Sequence, residues 1–411
     1  MILSTLLFNE KNPDKYLDFM EAYSVPKWLA YFLIIKSSVD DDNAENYFNL
    51  IVKDNIDIRP EIYLAMVEAS KKNKRKAEYY FNLAREKGKC TQDIYVLMID
   101  IFRDTPSRAE YYFNLMKEDG IPFSQSAFVS ILYAYRQNIP KATHFFSLAK
   151  DLSEGRSAQM YYQMMDSYKK EPSKAEYYFN LMEEDGIERT EHIYRKMMLV
   201  YINNPDKVEY YFNLIKEDGI TRTASTYEHM IVSNRKRPER ATYYFNLMKE
   251  EGVDRTASIY SKMIEMYARK PLEAERYFDL MKEEGVDRTE HIYARMIVIS
   301  GNDTAKAEYY FNLMKEDGIE RKAHVYSRMM DKFKKEPSKV KYYFDLMKEE
   351  GVDHTEYIYS KIIDAYKELP ERAMYYFNLM KEEGVERTVN IYSNMINIYK
   401  NIQGEQRIIL T

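Results

Sequence analysis

A segment that begins at Ala175, AEYYFNLMEEDGIERT, returns along most of the chain at a fixed spacing, and this repetition limits the fold more than any other feature. Its first tyrosine falls at Tyr177, Tyr210, Tyr243, Tyr309, Tyr342 and Tyr375, with Arg276 at the remaining phase, so successive copies lie 33 residues apart. Looser copies begin at Asn46, Tyr79, Tyr111 and His144, and a divergent first unit covers Lys15 to Lys36, with the spacing slipping to 31 from Lys15 to Asn46 and to 32 from Tyr79 to Tyr111. A unit this small cannot bury its own apolar face and has to stack on its neighbours, which is the signature of a solenoid. The expected organisation is an N-terminal cap at residues 1–14, a repeat array at 15–400 and a C-terminal tail or cap at 401–411.

Each unit reads as two helices. In ASIYSKMIEMYA the apolar residues Tyr260, Met263, Ile264 and Tyr267 follow i, i+3, i+4, i+7 and share one helical face. Pro271 opens a second helix, as Pro106, Pro172, Pro205, Pro238, Pro337 and Pro370 do in their units, because proline has no N–H to lose in a first turn. Ala274, Tyr277, Phe278 and Met281 repeat the helical spacing, and Gly285 stands where a left-handed C-terminal cap is required. A short turn joins the two helices, so they form an antiparallel hairpin, and about twelve such hairpins make an all-α solenoid. With 12 glycines and 12 prolines in 411 residues, long coil and a strand-rich sandwich are both disfavoured.

Chemistry-bearing motifs are missing from the sequence. One cysteine, Cys90, excludes an internal disulfide framework and a cysteine-based zinc site, and it reads as a buried or half-buried thiol. No Gly-rich phosphate loop, HExxH or Gly-x-Ser-x-Gly elbow occurs, so no enzyme activity, cofactor, metal or small-molecule substrate is expected. No apolar run approaches the roughly 20 residues of a membrane span. The N-terminal MILSTLLFNEKNPDKYL lacks both a leading basic region and an Arg-rich, acid-poor composition, and so does not read as a signal or transit peptide. A net charge of −5 argues against a uniformly basic nucleic-acid binder, although it leaves the arrangement of charge open.

The pattern of Ala274, Phe278, Met281, Lys282, Gly285 and Val286, with Tyr260 in the first helix, resembles the pentatricopeptide repeat. The resemblance covers about Lys15 to Lys400 and implies a right-handed superhelix, single-stranded RNA as ligand, and a mitochondrial setting, with the cytoplasm as the other possibility. It further implies base reading through the residue after the first-helix tyrosine and the residue four before it. Here these are Arg195, Glu228, Ser261, Ala294, Ser327, Ser360 and Ser393, and Thr190, Thr223, Thr256, Thr289, Lys322, Thr355 and Thr388. They depart from the Asn or Thr and Asp or Asn of the family, and the repeat is about two residues shorter, so contact through the RNA backbone is expected instead. An organellar RNA-processing factor and a mitochondrial ribosome component both fit that expectation.

Columns in fixed phase align along one surface of a solenoid. Arg189, Arg222, Arg255, Arg288, Arg321 and Arg387 form one basic column, with His354 in the same phase. Lys196, Lys262, Arg295, Arg328 and Lys361 form another. Both are candidate phosphate ladders, against the alternative that the arginines pair with acids of neighbouring units and only support stacking. His192, His291, His324 and Tyr357 lie where rings could stack on bases. The YYF cluster, such as Tyr243, Tyr244 and Phe245, is expected in the core between repeats, and the acidic helix ends Glu250–Glu251 and Glu283–Glu284 on a solvated outer face. The competing function is a protein-protein scaffold that holds a peptide or helix in its concave face.

Overall fold

The computed structural model describes residues 25–37, 41–152 and 155–409. The expected cap at 1–14 lies outside them. The chain divides into two compact units, one running to Thr221 and one from Arg222. In the first, the described helices are α1 (Lys27–Ser37), α2 (Asp41–Lys53), α3 (Pro60–Ala69), α4 (Lys74–Glu86), α5 (Gln92–Ile101), α6 (Pro106–Glu118), α7 (Gln125–Ala134), α8 (Ile139–Leu152), α9 (Ala158–Ser167), α10 (Pro172–Glu184), α11 (Glu191–Val200) and α12 (Pro205–Glu217). In the second they are α13 (Ala224–Ser233), α14 (Pro238–Glu250), α15 (Ala257–Met266), α16 (Pro271–Glu283), α17 (Glu290–Ile299), α18 (Thr304–Glu316), α19 (Ala323–Lys332), α20 (Pro337–Glu349), α21 (Glu356–Ala365), α22 (Pro370–Glu382) and α23 (Val389–Ile409). Odd numbers are the first helix of a hairpin and even numbers the second, and no strand occurs among the described residues. The backbone of α23 continues to Ile409.

The hairpin α15–α16 shows how the sequence produces the unit. Thr256 is extended (φ −97°, ψ 159°), and its hydroxyl accepts the Ile259 N–H at 3.4 Å, which supplies one of the donors that a helix start leaves open. Ile259, Tyr260, Met263 and Ile264 are buried, and Tyr267 caps the helix. Pro271 takes the first turn of α16, whose buried face is Ala274, Tyr277, Phe278 and Met281, the face that the spacing predicts. All seven prolines sit at helix starts in this way. Where a repeat lacks proline, α18 starts on Asp303 instead, whose carboxylate accepts the Lys306 N–H at 2.9 Å.

The helix ends are equally regular. At the end of α14, Gly252 (φ +72°) donates to Lys249 O at 3.1 Å, and Val253 donates to Met248 O at 2.8 Å, the paired bonds of a Schellman cap. A Cβ at Gly252 would meet no atom within 4 Å, so only the backbone conformation resists a side chain there. Gly252→Val is therefore expected to destabilise by about 1–2 kcal/mol in a urea melt, and an unchanged midpoint would contradict a cap held by φ alone.

Hairpins are joined by rings. Phe245 of α14 stands edge-on to Tyr260 of α15 at 5.3 Å and to Tyr277 of α16 at 5.1 Å. Phe278, Phe311 and Phe344 repeat the arrangement in the same unit, and Phe81, Phe146 and Phe179 do so in the first. Each edge-to-face contact adds about 0.5–1.5 kcal/mol beyond area burial. The expectation that all three YYF rings are core is corrected here. Tyr244 and Phe245 are buried, whereas Tyr243 is 58% exposed, as are its equivalents Tyr177, Tyr210, Tyr309, Tyr342 and Tyr375 to a similar degree. Successive residues on a helix point about 100° apart, so three in a row cannot all face one core.

Candidate nucleic-acid interface

The link arginines precede the first helix of each hairpin and point inward. Arg255 lies with its guanidinium 3.9 Å from the Phe245 ring, donates to Phe245 O at 3.0 Å, and pairs with Glu284 at 2.6 Å. Arg288 stacks on Phe278 and reaches Asp317 at 3.4 Å, Arg321 stacks on Phe311 and forks onto Glu350, and Arg222 pairs with Glu251 at 3.0 Å. Their side chains are only 4–6% exposed. Arg189 stacks on Phe179 and pairs with Glu183, Arg387 stacks on Phe377 and donates to its carbonyl, and His354 replaces the arginine between Phe344 O and Glu383. Instead of an exposed ladder, this column is a buried seam between repeats. A flat guanidinium can satisfy a carbonyl, a carboxylate and an aromatic face at once, which favours arginine in the joint.

The carboxylates of that seam correct the expectation for the acidic helix ends. Glu250 and Glu283 are exposed, but Glu251 and Glu284, one residue on, are partly buried and accept bonds from several sides. Glu284 receives Arg255, the Tyr260 hydroxyl and Lys249, the last at 2.9 Å. Glu350 receives Arg321, Tyr326 and Lys315, and Glu383 receives His354, Tyr359 and Lys348. Burial raises the carboxyl pKa of Glu383, yet the bonds from Lys348, Tyr359 and His354 outweigh it and hold the group down at about 2. The same opposition leaves Glu284 and Glu350 below the ordinary value. Burial and the carboxylate together push the partner phenols Tyr260, Tyr326 and Tyr359 well above theirs. Cys90 is half-buried, as expected, and burial and then Asp119 raise its thiol to about 12.

The second basic column behaves differently. It lies on the first helix of each hairpin, where successive first helices run side by side, as their direct bonds show. Lys196 pairs with Asp166, Arg295 with Glu265 at 3.5 Å, and Lys361 with Asp331, each one hairpin back. Lys196 is 8% exposed, whereas Arg295 and Lys361 are 29% and 22% exposed. Lys262 and Arg328 are partly exposed too.

Four residues before each of these cations comes the expected stacking position, which the helical turn places on the same face. His192, His291, His324 and Tyr357 are all exposed there. Tyr357 lies 4.6 Å from the Lys361 ammonium, and His324 sits 3.2 Å from Glu290. His192 is already stacked on Tyr162 of the preceding hairpin, with centroids 4.4 Å apart, and burial followed by Arg195 lowers its pKa. Sequence reading did not bring forward Tyr162, Glu290 or the acids Asp166, Glu265 and Asp331. The signal for the acids was available, since each stands 30 residues before its cation. Among the described residues no His, Cys, Asp and Glu cluster is arranged to hold a metal, and no helix is long and apolar enough to cross a membrane.

A family model described as PPR repeat matches residues 258–286, which span α15 and α16. Among solved structures, the pentatricopeptide repeat protein PPR10 in complex with an 18-nt psaJ RNA element is similar with a TM-score of 0.67 and 14% identity, covering 97% of this chain and 62% of that one. A crystal structure of PPR10 from maize gives 0.61 and 15%, with 96% of this chain and 64% of that one covered. This chain thus spans less than two thirds of those PPR10 chains. A search of curated proteins returns no significant match. Residues 258–286 are thus similar to a pentatricopeptide repeat, and the chain has the helical-repeat fold seen in the PPR10 structures.

Proposed function

We propose that this chain is an RNA-binding helical-repeat scaffold that grips single-stranded or ribosomal RNA mainly by its phosphates, without catalysis, in organellar RNA metabolism or a mitochondrial ribosome. One observation carries the reading. In the unit from Arg222, α15, α17, α19 and α21 present Lys262, Arg295, Arg328 and Lys361, and on the same face His291, His324 and Tyr357 stand one turn earlier. Cations interleaved with flat rings along a row suit a single strand, whose backbone needs positive charge and whose bases need surfaces to stack on. The solved complex of PPR10 with RNA supports the choice of ligand. Phosphate contact falls to cations of this second column, because the link arginines are engaged in the seam.

The test is fluorescence anisotropy with single-stranded RNA across a salt series. Wild type is expected to bind with a strong salt dependence. A variant carrying Lys262→Ala, Arg295→Ala, Arg328→Ala and Lys361→Ala is expected to lose at least tenfold in affinity at low salt. Absence of binding to single-stranded and structured RNA at low salt would overturn the reading in favour of a protein-protein scaffold.

A further inference from the structure

The four cations of α15, α17, α19 and α21 are not equivalent, and the difference lies one hairpin back. Arg295 and Lys361 face Glu265 and Asp331. At the corresponding positions before Lys262 and Arg328 the chain has Val232 and Val298. Among the described residues neither Lys262 nor Arg328 makes an ion pair or a hydrogen bond, and the Arg328 Nε–H is buried without an acceptor. Charge along this row therefore alternates: a lone cation, a neutral pair, a lone cation, a neutral pair. Val298 is 45% exposed at a position that Glu265 and Asp331 hold in the adjacent hairpins.

From this alternation we infer that the row holds RNA phosphates at every second hairpin, at Lys262 and Arg328, while Arg295 and Lys361 serve the protein. The inference rests on the RNA-binding reading and refines it. A paired guanidinium presents no net charge to an incoming phosphate, and to bind one it must give up a carboxylate that then repels the ligand. A lone cation displaces only water and condensed counterions. Salt dependence reports the number of phosphates neutralised, so it separates the two kinds of rung where affinity alone does not.

The experiment compares two double variants against wild type with single-stranded oligouridylate, reading the slope of log affinity against log salt. Lys262→Ala with Arg328→Ala is expected to lower the slope by about 1.4, roughly 0.7 for each cation on a single strand. Arg295→Ala with Lys361→Ala should lower it by less than half as much, because each of these cations is already engaged by a carboxylate. Glu265→Gln, which frees Arg295 without removing a cation, should steepen it by roughly 0.7. Thermal melts of every variant establish that the fold is kept. Equal losses in the two double variants, or none in the first, would overturn the alternation while RNA binding stands. If wild type binds no RNA at all, the function and the alternation fall together.

Discussion

Arg321→Ala is expected to destabilise the unit from Arg222 by about 3–5 kcal/mol, the range for removing one partner of a buried ion pair. The arginine side chain is 4% exposed, its Nε donates to Glu350 at 3.0 Å, and its guanidinium lies 4.1 Å from the Phe311 ring. Alanine leaves Glu350 in the joint with Tyr326 and Lys315 alone and uncovers one face of Phe311. Arg321→Lys should recover little, since one ammonium cannot fork onto a carboxylate and cover a ring together. Because stability in a stack is a sum over neighbouring interfaces, loss of amide protection should concentrate in α18 to α20 in hydrogen exchange. A loss below about 1 kcal/mol would reassign this arginine to ordinary surface chemistry.

Acid should dismantle the same joints. Glu284, Glu350 and Glu383, with Asp119 and Asp185 in the first unit, all have folded pKa values below their unfolded ones. For such groups the stabilisation is complete above the unfolded value, 4.5 for the glutamates and 3.8 for the aspartates, and disappears as pH falls through the folded value, about 2 for Glu383. Several seams titrate in one window, so helix content followed by circular dichroism should collapse between about pH 4.5 and 2. The triple variant Glu284→Gln, Glu350→Gln, Glu383→Gln should melt lower at neutral pH and lose part of this dependence. An acid limb as steep as that of wild type would place the sensitivity elsewhere.

The architecture was legible because helix signals are local. Pro271 and Gly285 mark their helix ends whatever packs around them, and Ala274, Tyr277, Phe278 and Met281 fix a face by spacing. Depth was not legible, because a column in fixed phase looks the same whether it lines a surface or a joint. Arg255 and Lys262 recur equally well, yet the first is 6% exposed and paired, and the second is partly exposed and unpaired. What separates them is a correlation between columns. Arg255 and Glu284, Arg288 and Asp317, and Arg321 and Glu350 are each 29 residues apart, and comparing acidic with basic phases at that offset would have pointed to the seam.

The seam also sets the grain in which this molecule can be lengthened or shortened. Its bonds run at fixed offsets of 24 residues from tyrosine to acid, 29 from arginine to acid and 35 from lysine to acid. Excising residues 256–288 joins Arg255 to Thr289, and Arg255 then meets Asp317 at the offset it formerly held to Glu284, with Tyr293 in place of Tyr260. A cut of another length that falls between Arg255 and its acid leaves the guanidinium facing the wrong turn of helix. Gain or loss of whole repeats is thus a change of length that requires no compensating substitution, and the reach of the binding row becomes a quantity that can vary independently of the chemistry of each joint.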